Sequence, residues 1–263
     1  MREQSVAEPE AVTAALLRDW SRLCGAIGPS ALVKQTAGAT LFATGIAAPT
    51  LNCVFATGPA AVAKDIGDLL GLVANRGLPY CLQLRPGADP QLNAVARDRG
   101  MTPEEPIPLM VFERGVVALD ETAVNSALVL RELTSAESRL HTSILASGFD
   151  APAELFEQLI TPAVLSLPAA RCYVGNVEQE SVTTAFGFTE RDHVGIYNVA
   201  TVPGHRGRGY GTAITARAVL DGFTSGASVA YLQSTDAGYR VYERLGFRTL
   251  EKWTVWISPA EAS

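Results

Sequence analysis

Apolar residues recur at helical spacing from Ala11 to Ile27, with Val12, Leu16, Trp20, Leu23 and Ile27 on one face. Two short apolar runs, Ala39 to Thr44 and Asn52 to Thr57, then read as strands. Pro59 opens a second helix with a stripe of Val62, Ile66, Leu69, Leu70 and Val73, and Gly77 closes it. Leu78 to Leu84 is a strand, Asp89-Pro90 starts a short helix ending at Gly100, and Pro108 to Phe112 is a further strand. Glu113 to Asn125 has the character of a connector. Beyond it, Leu128 to Glu132 is a strand, and Thr134-Ser135-Ala136-Glu137 is a capping box for a helix bearing Leu140, Ile144 and Leu145. A helix over Pro152 to Ile160 follows, then strands near Cys172 to Val177, Thr183 to Thr189 and Val194 to Val202. The pattern closes with a helix at Thr212 to Leu220, a strand at Val229 to Gln233, a helix at Asp236 to Leu245 stopped by Gly246, and a strand from Phe247 to Trp256. This order predicts an α/β (α+β) chain, with mixed, largely antiparallel sheets and helices on both faces.

The densest chemical signal lies between the Val194–Val202 strand and the helix after it. There the chain reads Val202-Pro203-Gly204-His205-Arg206-Gly207-Arg208-Gly209-Tyr210-Gly211-Thr212. A glycine-rich turn between a strand and a helix start gathers unpaired backbone N–H groups and the positive helix end at one spot. That suits a phosphate or pyrophosphate, and the two arginines add charge. Taken alone, the turn serves equally as a tight connection. It is not a P-loop, because no Gly-Lys-Ser/Thr closes it. Nor is it a dinucleotide fingerprint: the gap before its last glycine is one residue, and no acidic residue follows near Tyr231.

Tyr242-x-x-x-Gly246-Phe247, placed after the next strand, changes the weight of that loop. Arg206-x-x-Gly209-x-Gly211 and this second motif, in this order and separation, resemble the GCN5-related N-acetyltransferase (GNAT) family. The resemblance covers Leu128 to Trp256. A fainter similarity joins the two halves of the chain. Cys81-Leu82-Gln83 parallels Tyr231-Leu232-Gln233, and Gly100-Met101 parallels Gly246-Phe247. The first half lacks the arginine-glycine loop, and Ala96 stands where Tyr242 stands in the second. The expected organisation is a degenerate GNAT-like domain over 1–115, a linker over 116–126 and a catalytic domain over 127–263.

Composition sets the surroundings. The chain has 263 residues, 48% of them hydrophobic, and a net charge of −6. That size suits two domains, and the negative field does not favour nucleic acid. Cys24, Cys53, Cys81 and Cys172 are scattered without metal-ligand spacing, so buried, reduced thiols in a cytoplasmic protein are expected, with no metal. Met1 to Glu10 is polar, the next helix carries Arg18 and Asp19, and no stretch is long enough to span a membrane.

The resemblance implies acetyl-CoA as co-substrate. Its pyrophosphate would lie on the N–H groups of Arg206, Gly207, Arg208, Gly209, Tyr210, Gly211 and Thr212. Its pantetheine arm would lie along the backbone of Ala200, Thr201 and Val202, with Thr235 near the cofactor in place of the family's frequent asparagine. Tyr242 is the implied general acid for the departing thiolate, while Tyr239, on the same helix, is at the wrong offset. The base is open. Family members often use a carboxylate on the strand before the loop, but Gly195-Ile196-Tyr197-Asn198-Val199 has none. Asp192 and His193 sit at its start, and Tyr197 with Asn198 would organise a water. Glu137, Asp150, Glu154 and Glu157 make the nearby helices acidic, which fits either a basic amine acceptor or a solvated face. The acceptor is expected to be a primary amine of a small molecule or peptide. The alternative is a non-catalytic acyl-CoA-binding or sensing module. The chain is expected as a monomer with pseudo-dimeric halves or as a homodimer, and Pro108 to Phe112 is placed to pair with the second half.

Overall fold

The computed structural model describes residues 7–115 and 127–259; the expected linker at 116–126 lies outside them. Two compact units form, one from Met1–Asp19 with Leu109–Leu250, the other from Trp20–Pro108 with Glu251–Ser263. They are not consecutive halves of the chain, because each half gives its last strand away.

In the unit centred on the first half, β1 (Leu32–Gln35), β2 (Ala39–Ala43) and β3 (Asn52–Ala56) are antiparallel neighbours. Helix α2 (Ala63–Ala74) crosses over to β4 (Cys81–Leu84), which is parallel to β3 along its full length. After α3 (Leu92–Asp98), the strand beside β4 comes from the far end of the chain: residues Thr254 to Ile257 pair antiparallel with it. Ile66, Leu70 and Val73 of α2 bury against Leu41, Val54 and Leu82 of the sheet. Each such side chain contributes about 1.5–3 kcal/mol. Strand β1 is absent from the apolar pattern because Val33, Lys34 and Gln35 are all exposed on an edge.

The other unit holds β5 (Thr102–Glu113), β6 (Leu128–Leu133), β7 (Ala170–Val177), β8 (Glu180–Glu190), β9 (His193–Thr201) and β10 (Val229–Gln233). Its order is β5-β10-β9-β8-β7-β6, with Leu109 to Glu113 representing β5. Only β9 and β10 are parallel. The pairing of β5 with β10 is the one expected for the Pro108–Phe112 segment, although β5 also extends back to an exposed Thr102. Helices α4 (Ser138–Phe149), α5 (Ala153–Leu159) and the short α6 (Pro162–Leu165), which the pattern did not announce, precede β7. Helix α7 (Tyr210–Thr224) joins β9 to β10, and α8 (Asp236–Leu245) leads to β11 (Arg248–Ile257). The Thr134–Glu137 capping box is present at the turn before α4.

Alternate residues of β8 separate the two faces of this sheet. Ala185 packs with Ile214 and Val219 of α7. Thr184, its neighbour, meets His141 of α4 at 2.6 Å. The beginning of α1 (Pro9–Ile27) belongs to the same unit. The internal similarity is visible in the connectivity: β2-β3-α2-β4-α3-β5 repeats as β8-β9-α7-β10-α8-β11, each with an antiparallel pair followed by a parallel one.

Candidate active site

The two copies of the repeat differ where the parallel strands meet. In the first, β3 and β4 stay paired from Cys53–Cys81 to Ala56–Leu84. In the second, β9 and β10 pair only from His193–Val229 to Gly195–Tyr231, although β9 continues to Thr201 and β10 to Gln233. The strands part beyond Gly195, and among the described residues the following backbone of β9 pairs with no strand on that side. A bulge reinforces the opening. Ala185 of β8 stands opposite both Asn198 and Val199, and Asn198 takes a left-handed φ of 52°. Beyond the bulge, Val202 N–H donates to Val182 O (3.0 Å), so by strand alternation Thr201 N–H points to the open side.

Directly after β9, a single 3-10 turn over Pro203–His205 leads into the glycine loop. Gly207 and Gly209 adopt φ values of 75° and 81°, a region costly to any side chain, and Gly209 is the N-cap of α7. These conformations turn the backbone so that, among the described residues, the N–H groups of Gly207 through Thr212 donate to no protein acceptor; the first bonded amide is Ala213, to Gly209 O at 3.0 Å. Residues 206–209 are exposed. Six consecutive unpaired donors at the positive end of a 15-residue helix are an arrangement suited to an anion. Arg206 braces this loop: its guanidinium donates to Thr201 O (3.2 Å) and Gly148 O (2.5 Å). Gly148 is required there, since a Cβ would lie 2.8 Å from the Ala200 methyl. Arg208 donates to Gly204 O (3.2 Å).

Tyr242 lies on α8, which starts at an N-cap threonine and ends at Gly246 in a left-handed conformation with φ 99°. Its ring packs edge-on against Phe247 at 6.0 Å and leans back over Gly238. No hydrogen bond of its hydroxyl occurs among the described residues. Burial pushes the phenol up to about 12, so it stays protonated through the neutral range.

A family model described as Acetyltransferase (GNAT) domain matches residues 168–249, from before β7 to the start of β11. Residues 168–249 are a GNAT domain. The match places the chain among the acyltransferases. No curated protein sequence matches. Among solved structures, a GCN5-related N-acetyltransferase from Kribbella flavida is similar at 20% identity and a TM-score of 0.71, covering 95% of each chain. A GCN5-related N-acetyltransferase from Sphaerobacter thermophilus has 15% identity and a TM-score of 0.63, over 98% of this chain and 89% of its own. A tandem GNAT protein from the clavulanic acid biosynthesis pathway has 12% identity and a TM-score of 0.57, over 89% and 85%. At these identities the likeness is one of fold, and it extends over both halves of the chain.

Within the GNAT domain several expected residues already have internal duties. Tyr210 is buried with Leu128, Val182 and Ala213, so it offers the loop its N–H and not its phenol. Val202 uses its N–H on Val182 and its carbonyl on His205 N (3.0 Å), which leaves its backbone no unused donor. Thr201 Oγ1 lies 3.0 Å from Thr183 Oγ1, and Thr183 also bonds Ala200 O. Thr235 Oγ1 caps α8 by accepting from Gly238 N (3.3 Å). Gly211 and Thr212 are half-exposed in the first turn of α7. Tyr239 bonds Thr249 at 3.1 Å and is a packing residue. Of the acidic residues on the helices, Glu137 is engaged: Arg131 at 2.8 Å and the Thr134 N–H hold its carboxyl down to about 2. Asp150, Glu154 and Glu157 are exposed, and Glu157 lines a shallow cavity with Ser138, Arg139 and Thr142.

One carboxyl reaches the fork from outside the matched region. Asp19 of α1 is 2% exposed and accepts from Tyr197 Oη (2.9 Å) and Tyr231 Oη (2.5 Å), whose oxygens are 2.9 Å apart. Burial pushes its carboxyl from 3.8 up to about 7, against the two phenol hydrogen bonds, which lower it. His193 sits edge-on to Tyr231 at 6.4 Å and bonds Asp192 at 2.7 Å through Nδ1. A helical stripe held the signal: Asp19 falls between Leu16 and Leu23, which are both buried. Among the described residues no group of histidine, cysteine, aspartate and glutamate can hold a metal, and no helix is long and apolar enough to cross a membrane.

Proposed function

We propose that the protein is an N-acetyltransferase that moves the acetyl group of acetyl-CoA to a primary amine of a small molecule or peptide. The run of unpaired amides from Gly207 to Thr212, beside parted strands, carries this reading. Those amides hold the pyrophosphate, with Arg206 bracing the loop and Arg208 adding charge. The pantetheine amides extend β9 along its open side near Thr201. A β9 amide beside the bulge polarises the thioester carbonyl. The neutral amine attacks that carbon, the C–N bond forms, the C–S bond breaks, and Tyr242 protonates the thiolate.

The acceptor enters from the side of α4 and α5, where Glu154 and Glu157 favour a basic amine. Four buried, unpaired cysteines support action in the cytoplasm. The test is thiol release from acetyl-CoA across polyamines, aminoglycosides, amino acids and peptides, with titration of acetyl-CoA binding alongside. Turnover on an amine supports the reading. Tight binding with no turnover on any amine makes the protein an acyl-CoA sensor, and no binding at all refutes both.

A further inference from the structure

We propose that Asp19 stores the proton lost by the acceptor amine, receiving it through the hydroxyl of Tyr197. The inference rests on the acetyltransferase reading and supplies the base that β9 itself lacks. At neutral pH an alkyl amine is mostly ammonium and cannot attack. A proton acceptor is needed beside the thioester, yet no residue from Gly195 to Thr201 carries a carboxyl.

Gly195 shows what replaces it. A Cβ built there would lie 2.5 Å from Asp19 Oδ2 and 2.5 Å from the Tyr197 ring. The carboxylate from α1 occupies the space that a side chain on β9 would fill, at the last residue where β9 and β10 are paired. Tyr231, the partner of Gly195, is fully buried and donates to the same oxygen. Tyr197 is half-buried and immediately precedes the Asn198 bulge. Its O–H points to Asp19, so an oxygen lone pair is left for an amine or a water at the fork.

The surrounding charges suit a group that takes and returns a proton. Arg18 on α1 lowers the carboxyl and Glu190 on β8 raises it, both weakly beside the effect of burial. His193, at the start of β9, meets the cluster edge-on at the Tyr231 ring and bonds Asp192, which Arg18 also lowers. A carboxyl balanced near neutrality accepts a proton from an ammonium and releases it to solvent between turnovers.

The proton balance closes. The ammonium gives one proton to Tyr197 Oη as Tyr197 passes its own to Asp19. The amine nitrogen sheds a second proton when the C–S bond breaks, matching the one Tyr242 gives to the thiolate. One proton leaves to solvent per amide formed. Asp19 acts through Tyr197 and is a positioning and storage residue. Its place in the first half of the sequence gives that half a part in the reaction.

The experiment measures kcat/KM against pH for the wild type, Asp19→Asn and Tyr197→Phe. It uses acetyl-CoA with the best alkyl amine of the panel, and then with an acceptor amine whose pKa is well below 7. Acetyl-CoA affinity is measured for each protein as a check on folding. With the alkyl amine, the wild type is expected to gain rate through a limb centred near neutrality. Both variants should lose that limb and about 100-fold in rate at pH 8, with acetyl-CoA affinity unchanged. With the weakly basic amine, which needs no deprotonation, the deficit should shrink below about tenfold. Variants that keep the limb and stay within twofold of a working wild type would overturn the Asp19 role alone. An equal deficit with both amines would reduce the cluster to structure. A wild type that binds acetyl-CoA and acetylates nothing would overturn the enzyme reading, and the proton store with it.

Discussion

Asp19 makes the protein's stability depend on pH in a direction opposite to that of most carboxylates. In the unfolded chain its carboxyl ionises near 3.8; in the folded protein burial holds the proton until about 7. Between these values the folded state binds more protons than the unfolded state, so stability falls as pH rises. At about 1.36 kcal/mol per pH unit, the cost is about 2 kcal/mol at pH 5 and about 4 at pH 8. Because Asp19 is 2% exposed, solvent screening subtracts little. Asp19→Asn keeps the shape and an acceptor for the phenols and removes the titration. Its stability relative to the wild type is therefore expected to improve by about 2–3 kcal/mol between pH 5 and pH 8. Urea unfolding of both proteins at the two pH values, without ligand, measures that difference, and every other titrating group cancels in it. A relative stability constant across the range would mean that Asp19 ionises as it does in water, and the burial argument would fall.

Three further outcomes follow from the site and its supports. Tyr242→Phe removes a hydroxyl that no other group in the described structure engages; it should lower kcat for thiol release about 100-fold or more and leave acetyl-CoA affinity within twofold. Gly209→Ala forces a Cβ into the left-handed region at φ 81°, costing about 1–2 kcal/mol of stability and weakening acetyl-CoA binding about tenfold by isothermal titration. His141, fully buried on Thr184, is pushed down to about 3 by burial, so the unfolded chain binds its proton first as pH drops below 6.5. About 3 kcal/mol should be lost from this group by pH 4, and acid unfolding of His141→Asn should show a shallower dependence below pH 6.5.

Much of the second half was legible because its signals are local. The apolar run of β9, the glycines after it and the stripe of α7 lie within about thirty residues. The bounds of β10 and α8 coincide with the pattern, since Thr235 and Gly246 mark the helix ends chemically. The capping box at Thr134 was readable for the same reason. What the pattern hid was non-local. Tyr197 and Asp19 are 178 residues apart, and the stripe from Leu16 to Leu23 marks Asp19 as inward-facing without saying which strand it meets. Gly195 read as a neutral member of an apolar run, whereas its missing side chain is what admits the carboxyl. The internal commitments of Val202 and Tyr210 were equally invisible, because they depend on β8 and β6 closing around the loop. The compact units are not consecutive stretches of chain for a topological reason: strand pairing gives β5 and β11 partners from the opposite copy.

That trade of terminal strands bears on how such a chain can evolve. Deleting the copy that lacks the glycine loop would strip β5 from β10 and leave a raw sheet edge, open to aggregation, beside the fork. Deleting the other copy would do the same to β4. The half without the glycine loop is thus hostage to its sibling: it can dispense with that loop but not with the strand it lends.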